Sequence, residues 1–236
     1  MPKEFFKNFP EMQYKLDSGK IITIKDFFRK AAIEGNAKDA IIEYTYHELD
    51  EGDRPDVVAT KLYGNGDLHW TFFLVNDFTN YYDWYKDIRT FESYMDYKYR
   101  GKYFVASDST DLVSSSSKFL IGETITGTGS TGTILAVEPT YKRIAVDVDE
   151  GFTTPILSTG SSSSKAFTPS SVIDMKDGVN HYYLGDLKRN TFAAGYTAKS
   201  HWEHEWETNE AKRKIKIIKP SRIGQVVRQF EKVMKS

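Results

Sequence analysis

The stretch from Asp50 to Asp77 constrains the fold more than any other, because it carries two helix signals back to back with almost no linker between them. The first helix is predicted to open at Pro55, where a missing N–H costs nothing, with Asp53 as its N-cap and Asp56 near the positive end of the dipole. Val57, Val58, Leu62 and the stem of Lys61 form its apolar stripe. Tyr63-Gly64-Asn65-Gly66 then supplies residues that tolerate a left-handed backbone, and Asp67 is placed to cap a second helix carrying Leu68, Trp70, Phe72, Phe73, Leu74 and Val75. Too many of these are apolar for one face. A helix that is apolar nearly all round must be covered on more than one side, so this unit is expected at the centre of a core.

A chain of 236 residues can make one sizeable domain or two small ones. Its 32 basic and 33 acidic side chains nearly cancel, which argues against a dedicated nucleic-acid or membrane-surface binder. With no cysteine, disulfides, thiolate metal sites and cysteine nucleophiles drop out. No secretion signal is legible at Met1-Pro2-Lys3-Glu4-Phe5-Phe6, and no stretch approaches the roughly 18 apolar residues that a membrane span needs. The expected setting is therefore a cytoplasm. Aromatic residues reach 14%, which suits a chain that buries much surface against neighbours.

In chain order, a strand is predicted at Ile21–Ile24 and a helix from Lys25 to Ile33, ended by Gly35-Asn36. Ala40–His47 alternates as a strand leading into the two helices. Tyr81-Tyr82-Asp83-Trp84-Tyr85 reads as the returning second strand, with a docking surface as the alternative, because Tyr and Trp lead at interface hot spots. A helix follows from Lys86 to Tyr99, with Ile88, Phe91, Met95 and Tyr99 at helical spacing. From Ser107 the composition changes. Two serine-rich linkers, Ser107–Ser117 and Ser158–Ser164, flank three predicted strands at Phe119–Thr126, Thr133–Val137 and Arg143–Val148, read as a surface appendage. Ile173–Tyr183 reads as a hairpin around Asp177-Gly178, followed by a helix over Ala198–Arg213 and a strand at Lys214–Ile218. The last helix starts at Pro220-Ser221. Its apolar face carries Ile223, Val226, Val227, Phe230, Val233 and Met234.

Three spellings invite chemistry and lack its context. Gly127-Thr128-Gly129-Ser130-Thr131-Gly132 matches G-x-G-x-x-G, and Asp147 follows at the distance expected of a ribose contact. A pyrophosphate site needs a helix after the glycines, whereas Thr133–Val137 is β-branched and Pro139 cuts it short, so a Gly-rich hairpin explains the residues and no cofactor is expected. His201, His204 and Glu205 run His-x-x-His-Glu and not His-Glu-x-x-His, and they share a helix with Trp202 and Trp206, which look like its buried side. A solvated polar face explains them without a metal. Glu48, Asp50, Glu51, Asp53 and Asp56 could supply paired carboxylates, but an acidic loop ahead of a helix N-terminus is ordinary dipole complementarity. No catalytic residue is assigned.

A resemblance adds to this reading. Gly52-Asp53, Ala59, Leu62-Tyr63-Gly64-Asn65, Leu68-His69-Trp70 and Asn76-Asp77 resemble a LysM module, a strand-helix-helix-strand fold usually associated with glycan binding. Arg54-Pro55 ahead of Leu62-Tyr63-Gly64-Asn65, then Trp70, Asn76-Asp77 and Tyr81-Tyr82-Asp83-Trp84, is similar to the baseplate wedge protein of T4-like contractile-tailed phages, which contains a LysM-like domain. Asp26-Phe27-Phe28-Arg29, Asn209-Glu210 and Lys214–Ile218 agree with that family; residues 107–172 look inserted and resemble a small β module of marine phage virion proteins.

The predicted fold class is α+β: a LysM-like strand-helix-helix-strand core with flanking helices and an inserted small all-β module. Its segments are 1–38, 39–106, 107–172 and 173–236. The resemblance implies a non-enzymatic virion protein of the tail baseplate, assembled in the host cytoplasm, that contacts other wedge proteins and neighbouring wedge copies and clamps the wedges together. Residues expected to define the fold or the protein interface are Arg54, Pro55, Tyr63, Gly64, Asn65, Trp70, Asn76, Asp77, Tyr81, Tyr82, Trp84, Ile223, Val227 and Phe230. The competing expectation is a wall-targeting glycan binder. In LysM modules the sugar lies between the loops that correspond here to residues 52–55 and 76–79. The single copy and the aromatic residues packed straight after the second loop depart from that pattern.

Overall fold

The computed structural model describes residues 9–26, 44–109, 112, 119–128, 130–148, 153–160, 163–167 and 169–235. In chain order its elements are β1 (Glu11–Lys15), β2 (Ile21–Lys25), β3 (Tyr44–Glu48), α1 (Pro55–Tyr63), α2 (Trp70–Val75), α3 (Ile88–Lys98), β4 (Lys102–Val105), β5 (Thr124–Thr128), β6 (Ser130–Glu138) and β7 (Arg143–Asp147). Then come β8 (Thr153–Gly160), β9 (Ser163–Phe167), β10 (Ser171–Asp174), β11 (Val179–Leu184), β12 (Leu187–Arg189), β13 (Thr197–Ser200), α4 (His201–Ala211), β14 (Lys214–Ile218) and α5 (Ile223–Lys235). The chain is mixed α+β and divides into two compact units, residues 1–87 with 209–236, and residues 88–208. This division differs from the four segments read from the sequence.

In the first unit, Pro55 opens α1 as predicted, but the cap residue is Arg54, which makes no side-chain cap. Asp53 is occupied elsewhere: its carboxylate accepts the Asp50 N–H at 3.0 Å and Lys61 Nζ at 2.9 Å. Pro55, Val58 and Ala59 form the buried stripe, and Val57, which lies off that face, is exposed. Gly64 takes the left-handed cap (φ 72°) and donates to the Thr60 carbonyl at 3.0 Å. The capping role expected of Asp67 belongs to Asn65, whose side chain accepts the Asp67 N–H at 2.9 Å and starts a 3-10 turn, Gly66–His69, that runs into α2.

α2 is covered on two sides, as its sequence requires. Phe72 packs among Leu49, Val58, Trp84, Ile215 and Ile217, while Val75 packs with Ile218 and Val226. The strand expected at Tyr81–Tyr85 is absent. Tyr81–Asp83 forms a 3-10 turn closed by a capping box, because Asn80 and Asp83 satisfy the local N–H groups that a strand would have offered a neighbour. The second strand beside the helices is β14, antiparallel to β3 with Lys216 opposite Tyr46. α5 docks on its own chain: Val226 and Phe230 are buried, and the Trp70 and Phe230 rings lie 4.4 Å apart. β1 and β2 form a hairpin, as the strand at Ile21 foreshadowed. Lys25, predicted to open a helix, instead ends β2; the rest of that predicted helix, residues 27–33, and the start of the strand predicted at Ala40 lie outside the described residues.

In the second unit, β4 to β10 form a seven-stranded antiparallel sheet ordered β10-β4-β7-β6-β5-β8-β9. The presumed appendage is therefore continuous with strands on either side of it. β7 pairs with β4 (Ala145 opposite Tyr103), and β4 pairs with β10 (Ile173 opposite Tyr103). Phe104, Phe119, Ile125, Ile134, Ile144 and Val146 build one core across these strands. Within Ser158–Ser164, read as a linker, Ser158–Gly160 and Ser163–Ser164 belong to the β8–β9 pair, Thr159 facing Ser164. A ladder needs backbone groups, which Ser and Thr supply as well as apolar residues do.

The hairpin expected around Asp177-Gly178 does not form. β10 pairs with β4, while β11 pairs with β12 and β13. Gly178 is needed for space and not for a turn: a Cβ there would stand 2.4 Å from the Tyr103 ring. α4 begins later than predicted, because Ser200 and Glu203 form a reciprocal cap (Ser200 N–H to Glu203 Oε2 2.8 Å, Glu203 N–H to Ser200 Oγ 3.2 Å). Phe91 meets Trp202 and Trp206 edge-on at 5.1 and 5.2 Å, so the tryptophans mark the packed side of α4.

Candidate protein-contact site

The residues singled out from the sequence gather on the first unit and fall into two groups. One group holds chain segments together by side-chain bonds to backbone. Asn76, at the end of α2, donates to the carbonyls of Phe72 and Lys216, both at 2.8 Å, and accepts the Lys216 N–H at 2.8 Å. It binds Lys216 as a neighbouring strand would. Tyr63 donates its hydroxyl to the Ile218 carbonyl at 2.9 Å, and burial pushes its pKa up to about 12. Asn209, which the sequence reading noted only within the family resemblance, repeats the device: Oδ1 accepts the Lys86 N–H at 3.0 Å and Nδ2 donates to the Lys86 carbonyl at 2.8 Å.

Trp84 belongs to the same group. It is 4% exposed, donates its indole N–H to the Asp53 carbonyl at 2.8 Å, stacks on Phe73 at 5.9 Å and meets Phe78 edge-on at 6.3 Å. Residues 52–55 and 76–79 are thus tied together by one indole. Pro55, Gly64, Asn65, Trp70, Ile223 and Phe230 sit in the helix ends and the α5 contact described above, Val227 is half-buried on α5, and Asp77 is left-handed (φ 55°) after Asn76 at the end of α2.

The other group faces outward. Tyr81 and Tyr82 are 59% and 78% exposed. Their turn is pinned: the Asp83 carboxylate accepts the N–H groups of Thr79 and Asn80 and the Thr79 hydroxyl, at 2.9, 3.1 and 3.1 Å. Burial would raise the Asp83 pKa, but these bonds outweigh it and hold the carboxyl below its usual value. Arg54 is also exposed, its guanidinium bonded to Asp56 at 3.0 and 3.2 Å. Rigid, exposed aromatic and arginine side chains are the material of interface anchors.

The spellings that invited chemistry are used structurally. Gly127 faces Ser130 and Ile125 faces Gly132 in the β5–β6 hairpin, so the glycines open no helix. Glu205 accepts from Lys98, Tyr94 and Tyr99 at 2.7 to 3.1 Å. His201 lies within 3.0 Å of Asn180 Nδ2 and 3.2 Å of the Tyr103 hydroxyl. In the acidic loop, burial of Asp53 is outweighed by the hydrogen bonds from Lys61 and the Asp50 N–H, which lowers its pKa. Among the described residues no group of three or more His, Cys, Asp or Glu could hold a metal ion, and no helix is long and apolar enough to cross a membrane.

Paired side-chain clamps surround a small α+β core that carries a pinned aromatic turn on its surface. Comparison with known families finds that residues 5–109 match the family model described as base plate wedge protein 53. The similarity to phage baseplate wedge proteins read from the sequence is borne out over that range, and it supports a structural role in a phage baseplate. No curated protein matches the chain. The stretch Asn209–Ile218 lies outside the match, yet it supplies β14 and the Asn209 clamp that complete the matched unit.

Proposed function

We propose that this chain is a non-enzymatic wedge subunit of a contractile phage tail baseplate, assembled in the host cytoplasm, where it clamps neighbouring wedges together through protein–protein contacts. The match of residues 5–109 to base plate wedge protein 53 carries this reading. Tyr81, Tyr82 and Arg54 are its contact residues, and Tyr63, Asn76 and Trp84 hold the surface that presents them. Trp84 bridges the loops that correspond to those framing a sugar in a LysM module, and no observation favours the glycan reading.

The test is a phage carrying Tyr81→Ala and Tyr82→Ala together. Both side chains are exposed, so the free protein should keep its stability within about 0.5 kcal/mol. Completed baseplates should fall at least ten-fold on the order expected for loss of two aromatic anchors. Full baseplate yield from the double variant would remove these residues from the interface. Absence of the chain from purified baseplates would overturn the reading as a whole.

A further inference from the structure

Among the described residues the β3–β14 pair is a sheet of two strands, and its two outer edges are treated differently. On β14, the outward N–H and C=O of Lys216 are both taken by Asn76. In an antiparallel pair, residues opposite each other either both point their backbone groups inward or both point them outward. Tyr46 stands opposite Lys216, so its N–H and C=O point away from β14, as do those of Glu48 two residues on. The inward set is confirmed independently by Leu49, whose N–H donates to the Arg213 carbonyl at 2.9 Å. Tyr46 and Glu48 have no backbone partner on the outer edge among the described residues.

The side chains beside this edge carry a charge preference. Tyr46 is 59% exposed, and Lys214 Nζ reaches across to lie 4.9 Å from the centre of its ring. Lys214 and Lys216 are exposed on the same face and neither pairs with a carboxylate among the described residues. The one acid on that face, Glu48, lies 3.9 Å from Arg213. A strand laid along β3 would meet the open backbone donors and acceptors of Tyr46 and Glu48, with the Lys214 ammonium held over the Tyr46 ring beside it.

We infer that the outer edge of β3 accepts an extended, acidic segment of a partner protein as a third strand, with backbone bonds to Tyr46 and Glu48 and with a carboxylate beside Tyr46 that meets the Lys214 ammonium. This goes beyond the baseplate reading and does not depend on it.

The test is amide hydrogen exchange on the full chain, alone and with a capped peptide of alternating threonine and glutamate, with threonine–lysine as the control peptide. In the free chain the Tyr46 and Glu48 amides should exchange fast while Thr45 and His47 are protected. The acidic peptide should slow Tyr46 and Glu48 by at least about ten-fold. Tyr46→Pro removes an N–H that makes no intrachain bond, so β3–β14 pairing should survive while the peptide effect at Glu48 disappears. Equal protection by the lysine peptide, or none by the acidic one at millimolar concentration, overturns the proposal. So does protection of Tyr46 already present in the free chain. Concentration-dependent dimerisation abolished by Tyr46→Pro would assign the edge to a second copy instead.

Discussion

The two units of this chain solve the same problem with different bonds. The unit of residues 88–208 is closed by backbone ladders: seven strands hand their N–H and C=O groups to one another, and the apolar side chains fill the core beneath. Among its described residues the unit formed by 1–87 and 209–236 has two separate two-stranded pairs, β1–β2 and β3–β14, too few ladder bonds to close a core. Side chains take over there. Asn76 acts as a strand for Lys216, Asn209 acts as one for Lys86, and Tyr63 and Trp84 bond the carbonyls of Ile218 and Asp53. A unit held by side chains is one whose stability single substitutions can remove, and that difference can be tested.

The largest effect is expected at Trp84. Trp84→Ala removes a buried indole and leaves the Asp53 carbonyl without its donor, so urea denaturation should show a loss of about 3–5 kcal/mol. A loss below about 1 kcal/mol would mean that the two loops are joined by something other than this side chain. Asn76→Ala comes next, at about 1–3 kcal/mol, because the Lys216 N–H and C=O lose their partner together while the Phe72 carbonyl keeps the Asn76 backbone N–H. Asn76→Asp keeps an acceptor for the Lys216 N–H but turns a carboxylate oxygen toward two carbonyls, so it should be no more stable than alanine. If the alanine variant matches wild type, water replaces the clamp at no cost and the contrast between the units disappears.

How much of this was legible depends on the range over which each bond acts. Pro55 at the start of α1, Gly64 at its end, the limits of β14 and the amphipathic face of α5 follow from residues within a turn or two of each other, and the sequence carries them plainly. Asn65 and Asp67 traded capping roles because both are competent and only the backbone path decides between them. The partner of β3 was misplaced for a different reason. Tyr81–Tyr85 is close in sequence and rich in strand formers, while the true partner returns only after residues 88–208. Local propensity cannot see a capping box outcompeting a ladder, nor a serine-rich run recruited as strands by backbone bonds. Of the contact residues, the types were readable, but whether Tyr82 or Trp84 faces water was set by one turn of 3-10 helix.

The smallest expected effect sharpens the comparison from the side of the second unit, where one polar cluster sits among the ladders. Arg143 is buried against the Tyr103 ring at 3.6 Å and paired with Glu138 at 2.6 Å, and its Nη2 lies 3.5 Å from His201 Nε2. Burial first, and then the Arg143 charge, pushes the His201 pKa down to about 4. Below its ordinary value near 6.5 the unfolded chain therefore takes up a proton that the folded chain refuses, and stability rises with pH across that interval. The contribution is complete above pH 6.5 and is lost as the pH falls toward 4. His181 is also lowered, by burial and then by His204, and adds to the same slope. Allowing for the solvent that still reaches the imidazole, His201 should account for roughly 1–2 kcal/mol between pH 7 and 4. Urea denaturation at pH 7 and 4.5 measures the slope, and His201→Gln should flatten it to the part that His181 and the lowered carboxyls, Glu205, Asp53 and Asp83 among them, supply. An unchanged slope in that variant would move the pH dependence out of this cluster to the other shifted groups of the second unit, His181 and Glu205 among them.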